Sequence, residues 1–259
     1  MNTRRVWGFI LVCFLLVPSI GVCQMREAQE RDIDRFTFTF GLKTLFLVDT
    51  EIKYPGVGDV YYDGNLFGPV LGVQIANTDT FWDNFEFDLS TSFGKLNAYD
   101  SAGEKANLNA KYNRFTLELS DIRADACYRI IPHCSAFVDF HYRRFRFGST
   151  EEDPSDIFPV PDEEMYGGGL GVKGSVPLGE SGVFVYGSGE VMPYAKFRVD
   201  GSSAWGLMLK GGLGYTIEGG EWLPMSLTTT VGYHYQTLDS DGYLDERTDA
   251  ASADVVVTW

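Results

Sequence analysis

Apolar residues recur at every second position through ten segments of the chain, with polar residues or glycine between them. In RFTFTFGLK, Phe36, Phe38 and Phe40 alternate with threonine, and in NFEFDLSTSF Phe85 and Phe87 alternate with acidic residues. A period of two places successive side chains on opposite faces of a strand. The pattern therefore predicts ten β-strands, each with one apolar face.

One segment, RFTLELSDIRADACYRI, changes phase along its length. Leu117 and Leu119 share one face, whereas the apolar positions from Ile122 to Tyr128 fall on the other. If the apolar face points the same way throughout, the strand needs one extra residue where the phase changes. The sequence thus predicts a β-bulge near Asp121.

The connections between these segments alternate in length. Long loops on one side, tight turns on the other and both termini on the turn side are typical of membrane-spanning β-barrels. Closure also leaves no unpaired strand edge in lipid. We therefore expect an all-β fold, a closed antiparallel up-and-down transmembrane β-barrel of ten strands, with eight or twelve strands as alternatives. Long loops are expected near 49–63, 97–110, 148–164 and 239–249, a shorter one at 200–203, and turns at 77–79, 131–133, 177–182 and 218–221.

The N-terminus has the pattern of an export signal. The basic opening MNTRR precedes an apolar run that ends in small residues near Cys23, as in a secretory signal peptide. Pro18 and Gly21 interrupt the run, which is short for a membrane helix of about 20 residues. The prediction is a signal peptide at 1–23, a short periplasmic segment at 24–34 and a barrel at 35–259. A membrane anchor and lipidation of Cys23 are the alternatives.

The last segment, ASADVVVTW, resembles the assembly signal of bacterial outer-membrane β-barrels, a strand of alternating apolar residues that ends in an aromatic residue. The matching positions are Ala253, Val255, Val257 and Trp259. The motif is generic to the class. The resemblance implies a place in the bacterial outer membrane, with extracellular loops and periplasmic termini. It also implies periplasmic chaperones and the barrel-assembly machinery as partners during biogenesis.

Composition agrees with a wall that is apolar on one face. The chain has 29 glycines and 15% aromatic residues, and its formal net charge is −15. Phosphate binding needs a basic face, so nucleic acid is excluded as a partner. With three histidines in the whole chain, we predict no metal site, cofactor or catalytic triad.

The polar faces of the strands carry acidic and basic residues in nearly equal number, so we predict that they pair inside the barrel. Such pairing favours a largely plugged lumen and a structural or surface-interaction protein. A narrow cation-preferring pore that passes small solutes is the alternative. The predicted network comprises Glu86, Asp88, Glu118, Arg123, Asp139, His141, Arg143, Lys173 and Lys210, and the same face also carries Lys43, Asp125, Glu190 and Asp254.

A third function comes from a partial resemblance to the omptin proteases, which are ten-stranded barrels that activate water with an Asp-His couple and two aspartates. Asp139 and His141 form the Asp-x-His, and Glu86 and Asp88 form an acidic pair. The pair is Glu-x-Asp here, and Asp139 follows a turn, whereas omptin sites lie at the extracellular mouth. The resemblance implies a protease only if a substrate reaches this depth.

Six basic residues near the loop ends of the strands are candidates for binding the phosphates of lipopolysaccharide. The alternative is that they balance the acidic loops. These residues are Lys111, Arg114, Arg144, Arg146, Lys196 and Arg198.

Cys127 and Cys134 flank the YRIIPH turn. An oxidising periplasm favours a disulfide between them, and two free thiols are the alternative.

Overall fold

The computed structural model describes residues 36–54, 58–75, 84–99, 115–149, 162–199, 201–219, 225–242 and 244–259. Within these ranges no helix is long and apolar enough to cross a membrane. The predicted signal peptide and periplasmic segment lie outside the described residues. The ten strands are β1 Phe36–Tyr54, β2 Gly58–Ile75, β3 Phe85–Tyr99, β4 Phe115–Ile131, β5 Cys134–Ser149, β6 Glu163–Pro177, β7 Val183–Phe197, β8 Ser203–Ile217, β9 Ser226–Ser240 and β10 Asp245–Thr258.

The strands close into one barrel in which each pairs with its neighbours in sequence and β1 pairs with β10. Every pairing is antiparallel. The predicted fold class, an up-and-down barrel of ten strands, is confirmed. We call the end where β1 begins and β10 finishes the turn end, and the opposite end, where β1 passes into β2, the loop end.

The turn-end half of the barrel is apolar outside and polar inside. On β1, the outward residues are Phe36, Phe38, Phe40 and Leu42, and each is about half exposed. Lys43, which follows Leu42, faces the lumen. The same apolar exterior continues on the other strands. Such an exterior suits lipid, and the polar interior is shielded from it.

In the loop-end half this polarity is reversed. On β1, Val48 and Ile52 are buried inside while Asp49 and Lys53 are exposed outside. All ten strands or their immediate ends contribute to one buried apolar cluster inside the barrel. Its members are Leu45, Val48, Ile52, Val60, Tyr62, Leu66, Leu96, Ala98, Leu117, Leu119, Phe145, Met165, Met192, Ala195, Phe197, Ala204, Leu238, Leu244 and Ala250. We call this cluster the apolar core.

The reversal explains why two of the loop predictions are wrong. Residues 49–63 and 239–249 are mostly strand, because β1 and β2 continue to Tyr54 and Gly58, and β9 and β10 to Ser240 and Asp245. The strands have 14 to 19 residues, whereas about 9–11 are enough to cross a bilayer. Of their acidic residues, Asp49, Asp63 and Asp239 lie on the outer face beyond the apolar belt, whereas Glu246 is buried inside.

The predicted bulge in β4 is also wrong. The β4 pairing with β3 is regular from Phe85 opposite Tyr128 to Asn97 opposite Thr116. Leu117 and Leu119 face the apolar core, and Ile122 faces outward. The phase of the apolar pattern changes because the barrel's polarity reverses, without an extra residue.

A bulge does occur in β1. Its register shifts against both neighbours between Leu45 and Asp49, and Leu47 has a left-handed backbone with φ of 52°. The shift allows both Leu45 and Val48 to face the apolar core, as an inserted residue permits.

Candidate functional site

The turn-end half of the lumen contains groups of charged side chains that join strands across the interior. In the first group, the Lys173 ammonium of β6 lies 2.6 Å from Asp88 Oδ2 and 3.4 Å from Glu86 Oε1, both on β3. These strands are three positions apart in the barrel. The contact therefore crosses the lumen and does not follow the sheet.

The second group is centred on Arg123 of β4. Its Nη2 contacts Glu190 Oε2 of β7 and lies 3.5 Å from Asp139 Oδ2 of β5 and 3.9 Å from Asp125 Oδ1. Its Nη1 points to the sulfur of Met208. One guanidinium thus faces three carboxyl groups.

Two smaller pairs lie at the same level of the lumen as the Arg123 group. His141 Nε2 lies 2.6 Å from Asp121 Oδ1 on the neighbouring strand. The Lys210 ammonium contacts Asp254 Oδ2, and the Thr230 hydroxyl donates to the same oxygen at 3.3 Å. Each pair offsets part of the cost of placing charge inside the barrel.

Nearer the apolar core, Arg143 of β5 and Glu246 of β10 form a buried pair, with 2.6 Å between Nη2 and Oε1. The Thr248 hydroxyl donates to Glu246 Oε1 at 2.7 Å and lies 2.9 Å from the Thr50 hydroxyl. Because β5 and β10 are on opposite sides of the ten-stranded barrel, this pair spans its full width.

The structure brings most of the predicted network into the lumen, with one correction. Glu118 lies on the outside of β4, between the buried Leu117 and Leu119, and faces Arg146 at 3.6 Å. The expectation that Leu117 and Leu119 face outward had placed it inside. Sequence reasoning missed Asp121 because that bulge was placed on it, and missed Glu246 because it was assigned to a loop. Of the four inward positions in 244–250 only Leu244 and Ala250 are apolar, so the sequence pattern carried little signal for Glu246.

The described basic residues of the predicted lipopolysaccharide site lie on the outer surface of β5 and β7 or just beyond them. Arg146 lies 3.8 Å from Asp162, and Arg198 lies 2.7 Å from Glu164 Oε2. For Arg144 and Lys196 no carboxylate contact occurs among the described residues. The remaining two candidates, Lys111 and Arg114, lie outside the described residues.

These basic residues lie where the outer surface changes from aromatic to charged. On β5, outward Phe140 and Tyr142 precede Arg144, and Tyr166 of β6 lies opposite both Tyr142 and Lys196. Arg198 follows β7 beside Glu164. Aromatic side chains mark the interface of lipid and water, so the basic residues stand at the level expected for lipid phosphates.

The predicted disulfide is wrong, because both cysteines are free. Cys134 lies opposite Ile131, and Cys127 lies opposite Phe137. Four residues separate Cys127 from Ile131 along β4, which is roughly 13 Å at the rise of a strand. A disulfide needs Cα atoms within about 7 Å.

Cys127 instead faces the lumen beside the first charged group. Its sulfur and one carboxylate oxygen each of Glu86 and Asp88 lie within 4.8 Å of one another, as potential metal ligands would. However, the Lys173 ammonium already lies against Asp88. A cation from the chain itself therefore occupies this position.

The couple that resembles the omptin site is deeply buried. The side chains of Asp139 and His141 are 0% exposed, and each contacts another charged side chain, Arg123 and Asp121 respectively. A catalytic base must lie within hydrogen-bond distance of the water molecule that it activates, and that water must lie beside the substrate. This geometry gives a peptide no route to the couple.

The C-terminal strand forms the seam that closes the barrel. Trp259 exchanges two backbone hydrogen bonds with Phe38, at 2.9 and 3.0 Å. Val255 and Trp259 are about half exposed on the outer face, with Ala253 and Val257 on the same side. The residues of the predicted assembly signal thus present one apolar surface to the exterior.

No known family model matches the chain, and no curated protein matches it in sequence. Solved structures are similar at the level of fold. The outer membrane protease OmpT from Escherichia coli has a TM-score of 0.49 and 9% identity over 87% of this chain and 96% of its own. The β domain of the Bordetella autotransporter BrkA has a TM-score of 0.46 and 10% identity over 86% and 99% of the two chains. The translocator domain of autotransporter NalP from Neisseria meningitidis has a TM-score of 0.43 and 10% identity over 99% and 95%.

The barrel architecture is that of the class which the C-terminal motif resembles. One fold can carry many unrelated functions. Fold therefore leaves the function open, and the arrangement of the lumen and rim has to supply the argument.

Proposed function

We propose that the protein is an integral barrel of the bacterial outer membrane whose lumen is sealed, and that its function is structural or lies in interactions at its outer surface. One observation carries the proposal: the apolar core fills the loop-end half of the lumen with side chains from every strand. Ten of its members are large and fully buried, among them Tyr62, Phe145 and Phe197. Hydrated ions do not cross such a packed region, because its apolar side chains do not replace their water, and the polar groups buried beside it, Arg143 and Glu246, are paired with each other.

The orientation and biogenesis that we propose follow from the two halves of the exterior. The apolar belt near the turn end spans the membrane, and the charged loop end projects from it into water. Export by the signal peptide at 1–23 leads the chain to periplasmic chaperones and the barrel-assembly machinery, which read the C-terminal strand. The loop end is then extracellular and both termini are periplasmic.

A planar-bilayer experiment tests the sealed lumen. The protein, purified from membranes of cells that express the full chain, is expected to insert and fold without steady conductance. Folding is checked by its altered gel mobility before and after heating. The control is the double variant Glu86→Gln/Asp88→Asn, which changes the turn-end charge and should be equally silent because the apolar core remains.

The alternative is a narrow cation-preferring pore, and the same recordings decide between the two. A steady, cation-selective conductance that changes in the double variant would contradict the sealed lumen and support the pore. The observation favouring a pore is the excess of carboxylates around Arg123. This group of carboxylates lies on the turn-end side of the apolar core, however, so ions could cross the barrel only if the core opened.

An omptin-like protease is the third and least supported function. Both members of its Asp-His couple are buried and hold other partners. A peptidase activity of the purified protein that disappears in Asp139→Ala would be needed to support it.

For the outer rim we propose lipopolysaccharide as the partner. Arg144 and Lys196 support this, because they face outward one step beyond the tyrosines and neither forms an ion pair among the described residues. Arg144 lies opposite Glu164, which is paired with Arg198. Guanidinium and ammonium groups at this level suit lipid phosphates. The alternative is that the basic residues of the rim only neutralise its acidic residues, as Arg146 does with Glu118 and Asp162 and Arg198 does with Glu164.

The variant Arg144→Gln/Lys196→Gln tests this partner. A cation near an anionic lipid surface contributes about 1 kcal/mol, so losing two should weaken lipopolysaccharide binding roughly thirtyfold. Binding is measured as the lipopolysaccharide concentration that half-maximally raises the unfolding temperature in mixed micelles. Lys53→Gln, an exposed lysine on β1, is the control. Equal binding by both variants would leave the basic residues as rim charges only.

A further inference from the structure

The outer wall of the barrel has an open space at Gly168 of β6. Gly168 is exposed on the outer face, between the outward residues Tyr166 and Leu170. A Cβ atom on Gly168 would contact the Asp139 carbonyl oxygen at 3.4 Å, and no described side-chain atom lies within 4 Å of that position. The floor of this space is therefore bare backbone. We call the space the Gly168 notch.

Two exposed aromatic side chains flank the Gly168 notch. Phe140 of β5 and Tyr194 of β7 lie directly opposite Gly168 on the two neighbouring strands, and they are 53% and 56% exposed. Side chains in directly opposite positions are close enough to touch. Neither ring covers the glycine here, so the rings stand on the two sides of an unfilled space.

A bulge in β7 turns Tyr194 toward this outer wall. The register with β8 shifts between Met192 and Ala195, and both of these residues face the apolar core. Pro193 and Tyr194, which lie between them, are both exposed outside. A regular alternation from Met192 would have turned residue 194 inward, so the bulge re-aims its side chain. Proline is tolerated at a bulge because it has no N–H to donate to a neighbouring strand.

Two basic side chains lie between the Gly168 notch and the loop end. On the strands that carry the two rings, Lys196 lies two residues beyond its ring and Arg144 four residues beyond, which is roughly 7 and 13 Å at the rise of a strand. Neither forms an ion pair among the described residues, and Glu164, opposite Arg144, is paired with Arg198. The apolar notch is thus continuous with a pair of cations on its loop-end side.

We propose that the Gly168 notch binds one acyl chain of a lipopolysaccharide molecule whose phosphate is held by Arg144 and Lys196. The inference rests on the partner proposed above for the outer rim, and it adds a second contact to that partner. The acyl chains of a phosphorylated lipid enter the membrane beneath its phosphates. A phosphate beside Lys196 therefore directs a chain along the wall over Gly168.

Packing decides which lipid chain lies in the notch. The surrounding lipid is as apolar as the wall, so no hydrophobic driving force favours one chain over another. A floor of bare backbone with a ring on each side offers a linear chain more dispersion contacts than a wall covered by side chains. The phosphate contact adds selectivity, because it fixes the chain of one class of lipid at this place.

Filling the notch tests the inference. The barrel, purified from cells that express the full chain, is titrated in mixed micelles with intact lipopolysaccharide and with the same molecule after complete deacylation, which keeps its phosphates. Binding is measured as the concentration that half-maximally raises the unfolding temperature. Gly168→Leu fills the space and keeps every charge. We expect it to weaken binding of the intact probe about fivefold, through lost dispersion contacts, and to leave binding of the deacylated probe unchanged.

Gly187→Leu is the matched control. Gly187 is an exposed glycine of β7 whose Cβ would likewise contact one atom, the Lys210 carbonyl oxygen at 3.7 Å. Both of its cross-strand neighbours, Gly174 and Gly211, are glycines, so no ring lies directly opposite it. This variant should bind both probes as the native barrel does. Gly168→Ala adds a single methyl group and should weaken binding of the intact probe by a smaller factor, and it decides the test if Gly168→Leu does not show the gel mobility of a folded barrel.

The outcomes separate the notch from the rim. Arg144→Gln/Lys196→Gln should weaken binding of both probes, because both retain the phosphates. Equal binding of the intact probe by Gly168→Leu and Gly187→Leu would overturn the acyl-chain site and leave the rim proposal standing. A loss in Gly168→Leu that is equal for the two probes would also overturn it. If the native barrel binds neither probe, the lipopolysaccharide partner itself fails, and the notch proposal fails with it.

Discussion

Glu246→Gln is expected to lower the free energy of unfolding of the barrel by about 3–5 kcal/mol, because it leaves the Arg143 guanidinium buried without its carboxylate. The two side chains are 3% and 0% exposed and lie 2.6 Å apart. Two further nitrogens of Arg143 have no hydrogen-bond partner among the described residues. No water-exposed position is available to the guanidinium beside the apolar core.

The double variant Arg143→Met/Glu246→Met distinguishes a buried charge from a generally fragile site. Removing both charges replaces the pair with apolar volume in an apolar region, so most of the lost stability should return. Unfolding is followed by tryptophan fluorescence in urea after reconstitution in lipid vesicles. Glu118→Gln, which breaks the exposed pair with Arg146, should change stability by no more than about 1 kcal/mol. A double variant as unstable as Glu246→Gln would contradict the explanation.

The strands and their number were predictable from period two, because each strand has one apolar face whichever way it points. Antiparallel closure was predicted from the alternating lengths of the connections and from the need to pair every strand edge in lipid. The side of the barrel wall to which that apolar face turns could not be predicted. At Phe36–Leu42 the apolar face meets lipid, and at Val48 and Ile52 it meets the apolar core. A local pattern cannot distinguish these environments, since both are free of water.

The errors at Glu118, Asp121 and Glu246 have this one cause. Glu118 and Asp121 were placed by assuming that apolar residues face outward everywhere, and Glu246 was assigned to a loop because its segment has no apolar outer face. All three lie at or beyond the level where the polarity reverses. The network nearer the turn end, such as Lys173 with Asp88, was placed correctly in the lumen because the assumption holds there. Which charges meet across the lumen depends on barrel closure, so the cluster of three carboxylates around Arg123 was not visible in sequence.

The disulfide error has a different origin. Cys127 and Cys134 are close in sequence and flank a turn, but the tight hairpin sets Cys134 opposite Ile131 and places Cys127 well along β4. Sequence proximity across a turn thus indicates contact only when the register is known.

Phe197→Ala is expected to destabilise the barrel by about 3–5 kcal/mol, the range for removing a large buried aromatic side chain. Phe197 is 0% exposed, lies opposite Met165 on β6 and has its ring centroid 6.3 Å from that of Phe145. Strands on every side hold this region in a closed barrel, so neighbouring side chains have little freedom to fill the space. Lost contacts and a residual cavity therefore both contribute.

The matched variant Phe197→Leu keeps most of the volume and should cost less than about 1.5 kcal/mol. Urea unfolding in vesicles measures both variants, and bilayer recordings show whether either one conducts. We expect silence from both, because the apolar core draws on all ten strands and one truncated side chain does not connect its two ends. If Phe197→Ala and Phe197→Leu both lowered the free energy of unfolding by the same small amount, water would already fill the region around Phe197. In that case the lumen would be open to ions at its loop end, and the sealed-lumen proposal would fail.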